Sequence, residues 1–198
     1  MSTHTPVFSR FSRWSMVLMV LVLAGCGALP PANLDRACGV FEHQRSWTRA
    51  MEHAEKKWGL PVHVQMAIIH QESKFRADAR PPRRHLLWVI PWGRASSALG
   101  YAQALDSTWD WYKQKTGNRG ADRTDFADSV DFVGWYARQS HKRLNLSMWD
   151  ARNQYLAYHE GHGGYERGTY KRKPWLIKVA AKVAKRAQFY RQQLSSCR

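Results

Sequence analysis

From residue 45 to residue 194 the apolar side chains recur at the spacing of a helix, almost without interruption. The clearest stretch is the last. After Pro174, one stripe is marked by Leu176, Val179, Ala180, Val183, Ala187, Tyr190 and Leu194, with basic residues between them. Trp47, Ala50, Met51, Ala54 and Trp58 predict another helix, ended by Gly59. Pro61 opens the next, through Ile68 and Ile69 to about Glu72. Ser107 as N-cap starts a helix that stops at Gly117, and one from about Asp125 to Arg143 turns Phe126, Val130, Val133 and Ala137 inward. Ser147 and Asp150 form a capping pair for a helix to about Tyr158, broken by Gly161, Gly163 and Gly164. Residues 76–99 differ: Pro81-Pro82, Arg80, Arg83 and Arg84 beside them, and an apolar Leu86–Pro91 patch read as a long loop with room for a short hairpin or a helical turn. There is no internal repeat. The expected fold class is mainly α, with one domain over residues 38–198.

With 198 residues and 44% apolar content, such helices can bury a real core. Composition excludes a collagen-like, coiled-coil, multi-span membrane or disulfide-dense protein. Lys and Arg total 31 against 15 acids, a formal charge of +16, so the surface favours a polyanion: nucleic acid, anionic lipid or a carboxylate-bearing polymer.

The N-terminus bears on the compartment. Arg10 and Arg13 precede the apolar run Met16–Ala24, which is too short to span a bilayer but has the length of a signal-peptide core. The following Leu23-Ala24-Gly25-Cys26 resembles a bacterial lipobox. That resemblance implies a signal peptide over residues 1–25, acylation of Cys26 and a short tether over residues 26–37. Gly27, where an inner-membrane lipoprotein would carry Asp, implies the outer membrane, with the protein facing the periplasm. In that oxidising compartment the two remaining cysteines, Cys38 and Cys197, are expected to form a disulfide.

Three short segments place polar residues where helices end or loops turn. In Ile69-His70-Gln71-Glu72-Ser73-Lys74-Phe75, Glu72 follows an apolar face near a helix terminus. Partial burial there destabilises the ionised carboxyl, raises its pKa and suits it to general acid catalysis near neutral pH. In Gly100-Tyr101-Ala102-Gln103, the glycine permits close backbone approach to a ligand, and Gln103 offers a donor and an acceptor to sugar hydroxyls. In Ala157-Tyr158-His159-Glu160-Gly161, Tyr158 closes a helix at a glycine turn. Order and content resemble the lytic transglycosylase domain of the soluble-lytic-transglycosylase and goose-type-lysozyme superfamily. The motifs that carry the likeness are Glu72-Ser73-Lys74-Phe75, Gly100-Tyr101-Ala102-Gln103 with Thr108, and Ala157-Tyr158 with Gly161, over roughly residues 45–165.

The resemblance implies a lysozyme-like fold and cleavage of the β-1,4 bond between N-acetylmuramic acid and N-acetylglucosamine in peptidoglycan, with no cofactor or metal. Glu72 would act as acid and then base while the muramic acid C6 hydroxyl attacks C1, leaving a 1,6-anhydro end. Tyr158 would hydrogen-bond Glu72, Ser73 would contact the muramic-acid side, and Tyr101 and Gln103 would line the glycan groove. The expected partners are peptidoglycan strands and, through the lipid anchor, a membrane; the expected state is a monomer that binds no nucleic acid. His159 and Ala102 depart from the usual Asn and Met. Glu160 adds a carboxylate that, inside the cleft, would hold a water and make the enzyme a hydrolase. A non-catalytic peptidoglycan-binding lipoprotein is the reading of another class. His159-Glu160-Gly161-His162 lacks the spacing of a zinc motif. The cluster Trp109-Asp110-Trp111-Tyr112 offers stacking faces for sugars, but at helical spacing part of it must be core.

Overall fold

The computed structural model describes residues 33–86 and 90–197, with His43 and residues 83–86 and 90–93 described by backbone alone. The expected signal peptide, the Cys26 acylation site and most of the tether lie outside the described residues. Eight helices are present among the described residues: α1 (Ala37–His43), α2 (Arg45–Trp58), α3 (Val62–Ser73), α4 (Asp106–Thr116), α5 (Phe126–Leu144), α6 (Ala151–Glu160), α7 (His162–Glu166) and α8 (Pro174–Leu194). A 3₁₀ turn spans Thr169–Arg172. A two-stranded antiparallel hairpin, β1 (Arg83–Leu86) with β2 (Ile90–Arg94), fills the expected loop, with Arg83 opposite Arg94 and Leu86 opposite Ile90.

The core is built around α3. Every residue from Leu60 to His70 is buried, as expected for a helix surrounded on all sides. α8 packs along α3 and α6, and α2 packs along α5. The one polar residue fully inside this part of α3, Gln65, donates its amide to the carbonyls of Met51 (3.1 Å) and Leu60 (2.8 Å). Asp131 of α5 accepts from the Trp58 indole (2.9 Å), the Lys57 ammonium (2.9 Å) and the Tyr112 hydroxyl (2.7 Å), so one carboxylate ties α2, α4 and α5 together. The aromatic cluster of α4 is largely core: Trp109 and Tyr112 are buried, and Trp111 packs edge-on against Trp135.

Several element ends match the sequence reading for its stated reasons. Gly59 and Gly117 end α2 and α4 in the left-handed conformation. Pro174 opens α8, and α5 begins beside Asp125 as expected, with the Asp125 carboxylate accepting from the Asp128 amide as a cap that the sequence reading did not name. Others differ. α4 begins at Asp106, so Ser107 lies inside the first turn and Leu105 is the cap residue. Asp150 alone caps α6, accepting from the Asn153 amide, while Ser147 Oγ accepts the Trp149 amide in the preceding turn. Gly161, at φ 72°, ends α6, but Gly163 and Gly164 lie within α7.

Packed structure also begins earlier than the expected domain start. Leu34 O accepts a hydrogen bond from the Tyr190 hydroxyl, and the Ala37 amide donates to Gln193 Oε1 at 2.6 Å. α1 thus docks on the end of α8, and Cys38 and Cys197 are joined as expected. This bond closes a sequence separation of 159 residues. Loop-closure entropy for a span of that size is worth about 4–5 kcal/mol as an upper figure. Cys38→Ser with Cys197→Ser is therefore expected to lower the urea midpoint and to raise the slope, because the unbridged unfolded chain exposes more surface, and reductant is expected to do the same to wild type. An unchanged midpoint in both would show that the bridge contributes nothing to stability.

Candidate active site

Glu72 is the penultimate residue of α3 and half-buried. It lies in a cavity of about 490 Å³ lined also by Pro81, Ser96, Gln103, Leu105, Thr108, Phe132, Tyr136, Tyr158, Glu160 and Gly161. α3 supplies the acid, the loop before α4 supplies one wall, and α5 and α6 supply the other. Loss of water contact pushes the Glu72 carboxyl up to about 7, against the opposing effects of a hydrogen bond from Tyr155 and the Lys74 charge. The negative end of the α3 dipole acts in the same direction as burial.

The phenol that reaches Glu72 is Tyr155, not Tyr158. Tyr158 lines the cavity, but its hydroxyl donates to the Ala102 carbonyl at 2.6 Å and joins α6 to the opposite wall. Residues 155 and 158 are three apart and share a helix face, so the sequence carried the signal for Tyr155 without ranking it above its neighbour. Both phenols are pushed well above their ordinary range by burial and by Glu72. They remain protonated donors.

The other expected site residues divide. Gln103 is in the cavity, and its amide nitrogen donates to the carbonyls of Ala79 and Gly100, both at 2.8 Å. Ser73 does not line the cavity; it is buried, and its hydroxyl donates to the Ile69 carbonyl at 3.2 Å. Tyr101 is buried too. It stands edge-on to Trp47 (5.6 Å) and Phe126 (5.1 Å) and borders a separate cavity of about 460 Å³. An amphipathic phenol and a small hydroxyl suit a core or a groove equally, and short-range sequence pattern does not separate the two.

The loop that carries Gln103 is fixed from behind. Arg123 donates to the carbonyls of Ser97 (3.1 Å) and Ala104 (3.0 Å) and pairs with Asp106 (2.7 Å). Gly100, at φ 76°, lets the loop lie on the Arg123 backbone; a Cβ there would sit 1.8 Å from the Arg123 carbonyl oxygen. The close approach expected toward a ligand is thus toward the protein itself.

Glu160 does reach the cavity, but its side chain is only 3% exposed and is held from several sides. It accepts from Lys173 Nζ at 2.7 Å, from Thr169 Oγ1 and from the His159 ring at 3.2 Å. These donors outweigh burial and hold its pKa below the ordinary carboxylate value. Two carboxyls in one cleft are thereby pushed apart, one toward the neutral acid and one toward the fixed anion. Among the described residues no group of His, Cys, Asp and Glu is arranged to hold a metal.

A family model described as the transglycosylase SLT domain matches residues 14–197. The chain belongs to the transglycosylase SLT domain family. The fold is accordingly that of a lysozyme-like SLT domain, mainly helical and single. Membership supports a lytic-transglycosylase type of action on peptidoglycan. No curated protein matches the chain.

The Glu72 environment in this SLT domain has a measurable consequence for stability. Its folded pKa lies above the unfolded one, so its contribution is fully present below the unfolded value and is lost as pH rises to about 7. Burial holds His63 and His70 at about 4, and their contribution is instead lost as pH falls below the ordinary histidine value. The comparison that isolates Glu72 is wild type against Glu72→Gln. The variant is expected to gain stability over wild type between pH 4.5 and 7, by a few kcal/mol at most, and to hold that gain above pH 7. A difference independent of pH would show that the carboxyl titrates normally.

Proposed function

We propose that this protein is a peptidoglycan lytic transglycosylase that cleaves the N-acetylmuramic acid–β-1,4–N-acetylglucosamine bond and leaves 1,6-anhydro-muramic acid ends. The supporting observation is the pairing in one cleft of a carboxyl raised to about 7 with a second carboxylate that is held as an anion by Lys173 and Thr169. A glycosidase working through water or a protein nucleophile needs two working carboxylates. Here one is available, which suits a substrate that carries its own nucleophile.

The protonated Glu72 gives its proton to the glycosidic oxygen as the C1–O bond breaks, and the N-acetylglucosamine side leaves as an alcohol. Glu72, now a carboxylate, takes the proton of the muramic acid C6 hydroxyl as that oxygen bonds to C1. The carboxyl ends as it began, and no water is consumed. Tyr155 steadies the ionised intermediate state by donating to it. Gln103 keeps its carbonyl oxygen for a sugar amide or hydroxyl, because its nitrogen is held by Ala79 and Gly100. Tyr158 holds the walls together through Ala102 and bears on substrate through its ring. The chain is read as a lipoprotein of the periplasmic face of the outer membrane, anchored at Cys26, which places the cleft beside its substrate.

Glu72→Gln is expected to lower digestion of purified sacculi by at least about 10²-fold, the scale of a general acid–base contribution. Equal activity would remove Glu72 from the mechanism, and absence of activity in both proteins would favour a binding role. Mass analysis of wild-type products is expected to give fragments one water lighter than hydrolysed ones. Glu160→Gln is expected to leave that product type unchanged, whereas hydrated ends lost in the variant would make Glu160 the base of a hydrolase. Tyr155→Phe removes a donor that favours the carboxylate, so the alkaline limb of kcat/KM is expected to move up by about one pH unit. A limb that stays in place would mean that Tyr155 does not act on Glu72.

A further inference from the structure

On the other side of α3 from the Glu72 cleft lies a second cavity, of about 520 Å³, that shares no lining residue with it. Lys74 just past the end of α3 and Lys182, Lys185 and Arg186 from α8 surround it, and Asp35 is its one acid. Asp35 is committed to Arg186, at 2.6 Å. Among the described residues the three lysines make no ion pair, and Lys74 finds only the His70 ring, at 3.2 Å. Ala67, Val183 and the exposed ring of Phe189 give the cavity an apolar side. Three unpaired ammonium groups around one concavity repel each other, and the arrangement is relieved by an anion that several donors reach together. The crowding is felt inside the protein: burial first, then the Lys74 and Arg186 charges, hold His70 uncharged.

We propose that this cavity binds a phosphate group carried on an apolar or alkyl body, as a phosphomonoester or phosphodiester. The three lysines take the phosphate oxygens as point charges, and the wall of Ala67, Val183 and Phe189 takes the body. A lone carboxylate would leave most of the volume and two of the ammonium groups unused. The site adjoins the place where the chain enters the fold, since Leu34 and Ala37 are fastened to Tyr190 and Gln193 of α8. On the proposed lipoprotein reading the acylated Cys26 lies just upstream in sequence, so a phospholipid headgroup and a soluble phosphoester are both sources of the same chemistry.

Amine-reactive labelling of the full chain, read lysine by lysine by mass spectrometry, tests this. The protein is held in neutral detergent and titrated with inorganic phosphate and with glycerol phosphate, and separately placed in phosphatidylglycerol or phosphatidylcholine vesicles. Labelling of Lys74, Lys182 and Lys185 is expected to fall severalfold and to saturate, while exposed Lys115 and Lys142 on α4 and α5 react as before. Potassium chloride at equal ionic strength is expected to have no effect. Protection in detergent supports a site served by soluble phosphate compounds; protection confined to phosphatidylglycerol vesicles supports a lipid source. In Lys182→Glu with Lys185→Glu, protection of Lys74 is expected to vanish while sacculus digestion is unchanged. No protection in any arm, protection shared by Lys115 and Lys142, or protection of Lys74 that survives in the double variant would overturn the proposal. None of these outcomes depends on the role of Glu72.

Discussion

The structure turns on one carboxyl group drawn partly away from water. Glu72 stands at the C-terminal end of a helix whose preceding residues are buried all round. Its charged form therefore faces both the low-dielectric interior and the negative end of a helix dipole. Only Tyr155 and the Lys74 charge oppose that penalty, and they do not cancel it. The acid is held by the most enclosed element of the fold, so its position is set by the whole core and not by a surface loop.

The opposite wall is a loop, and it is made rigid by other means. Arg123 spans it with hydrogen bonds to two carbonyls and an ion pair, Gly100 lies directly on the Arg123 backbone, and Tyr158 bolts Ala102 to α6. Glu160 is pinned by three donors at the mouth of the same cleft. A preorganised cleft of this kind needs little rearrangement to hold an extended glycan, and the chain's net positive charge suits a polymer that bears carboxylates. α3 rests on α8, and α1 is fastened to α8 by hydrogen bonds and the disulfide.

The helices were legible because their periodicity and end signals are local. Glycine ends and the Pro174 start act within a turn of the residues they terminate, so no tertiary information is needed. α1 was missed because seven residues beside a disulfide carry too little periodicity to separate from a tether. The 76–99 segment allowed a hairpin without requiring it, because its prolines and apolar patch satisfy a loop equally. At the site, Glu72 and Gln103 were singled out by residue type and by the nearby helix end or glycine, and the structure brings both to one cavity. Tyr158, Ser73 and Tyr101 sit otherwise than expected for a common reason, and Tyr155 was passed over for the same one. Whether a phenol or hydroxyl meets the acid, its own helix or an aromatic core depends on which chain segment crosses it in space, and that is decided by Ala102, Ile69 and Trp47, none of which carries a chemical signal.

The account stands or falls with the proton on Glu72. Carbon-detected NMR of the side-chain carboxyl in the full chain, assigned by its loss in Glu72→Gln, follows that proton directly. A titration centred near pH 7, shifted clear of the other glutamates, is the result expected from its burial. A midpoint near 4.5, together with them, would mean that the group is ionised at neutral pH and cannot be the acid that cleaves the glycan.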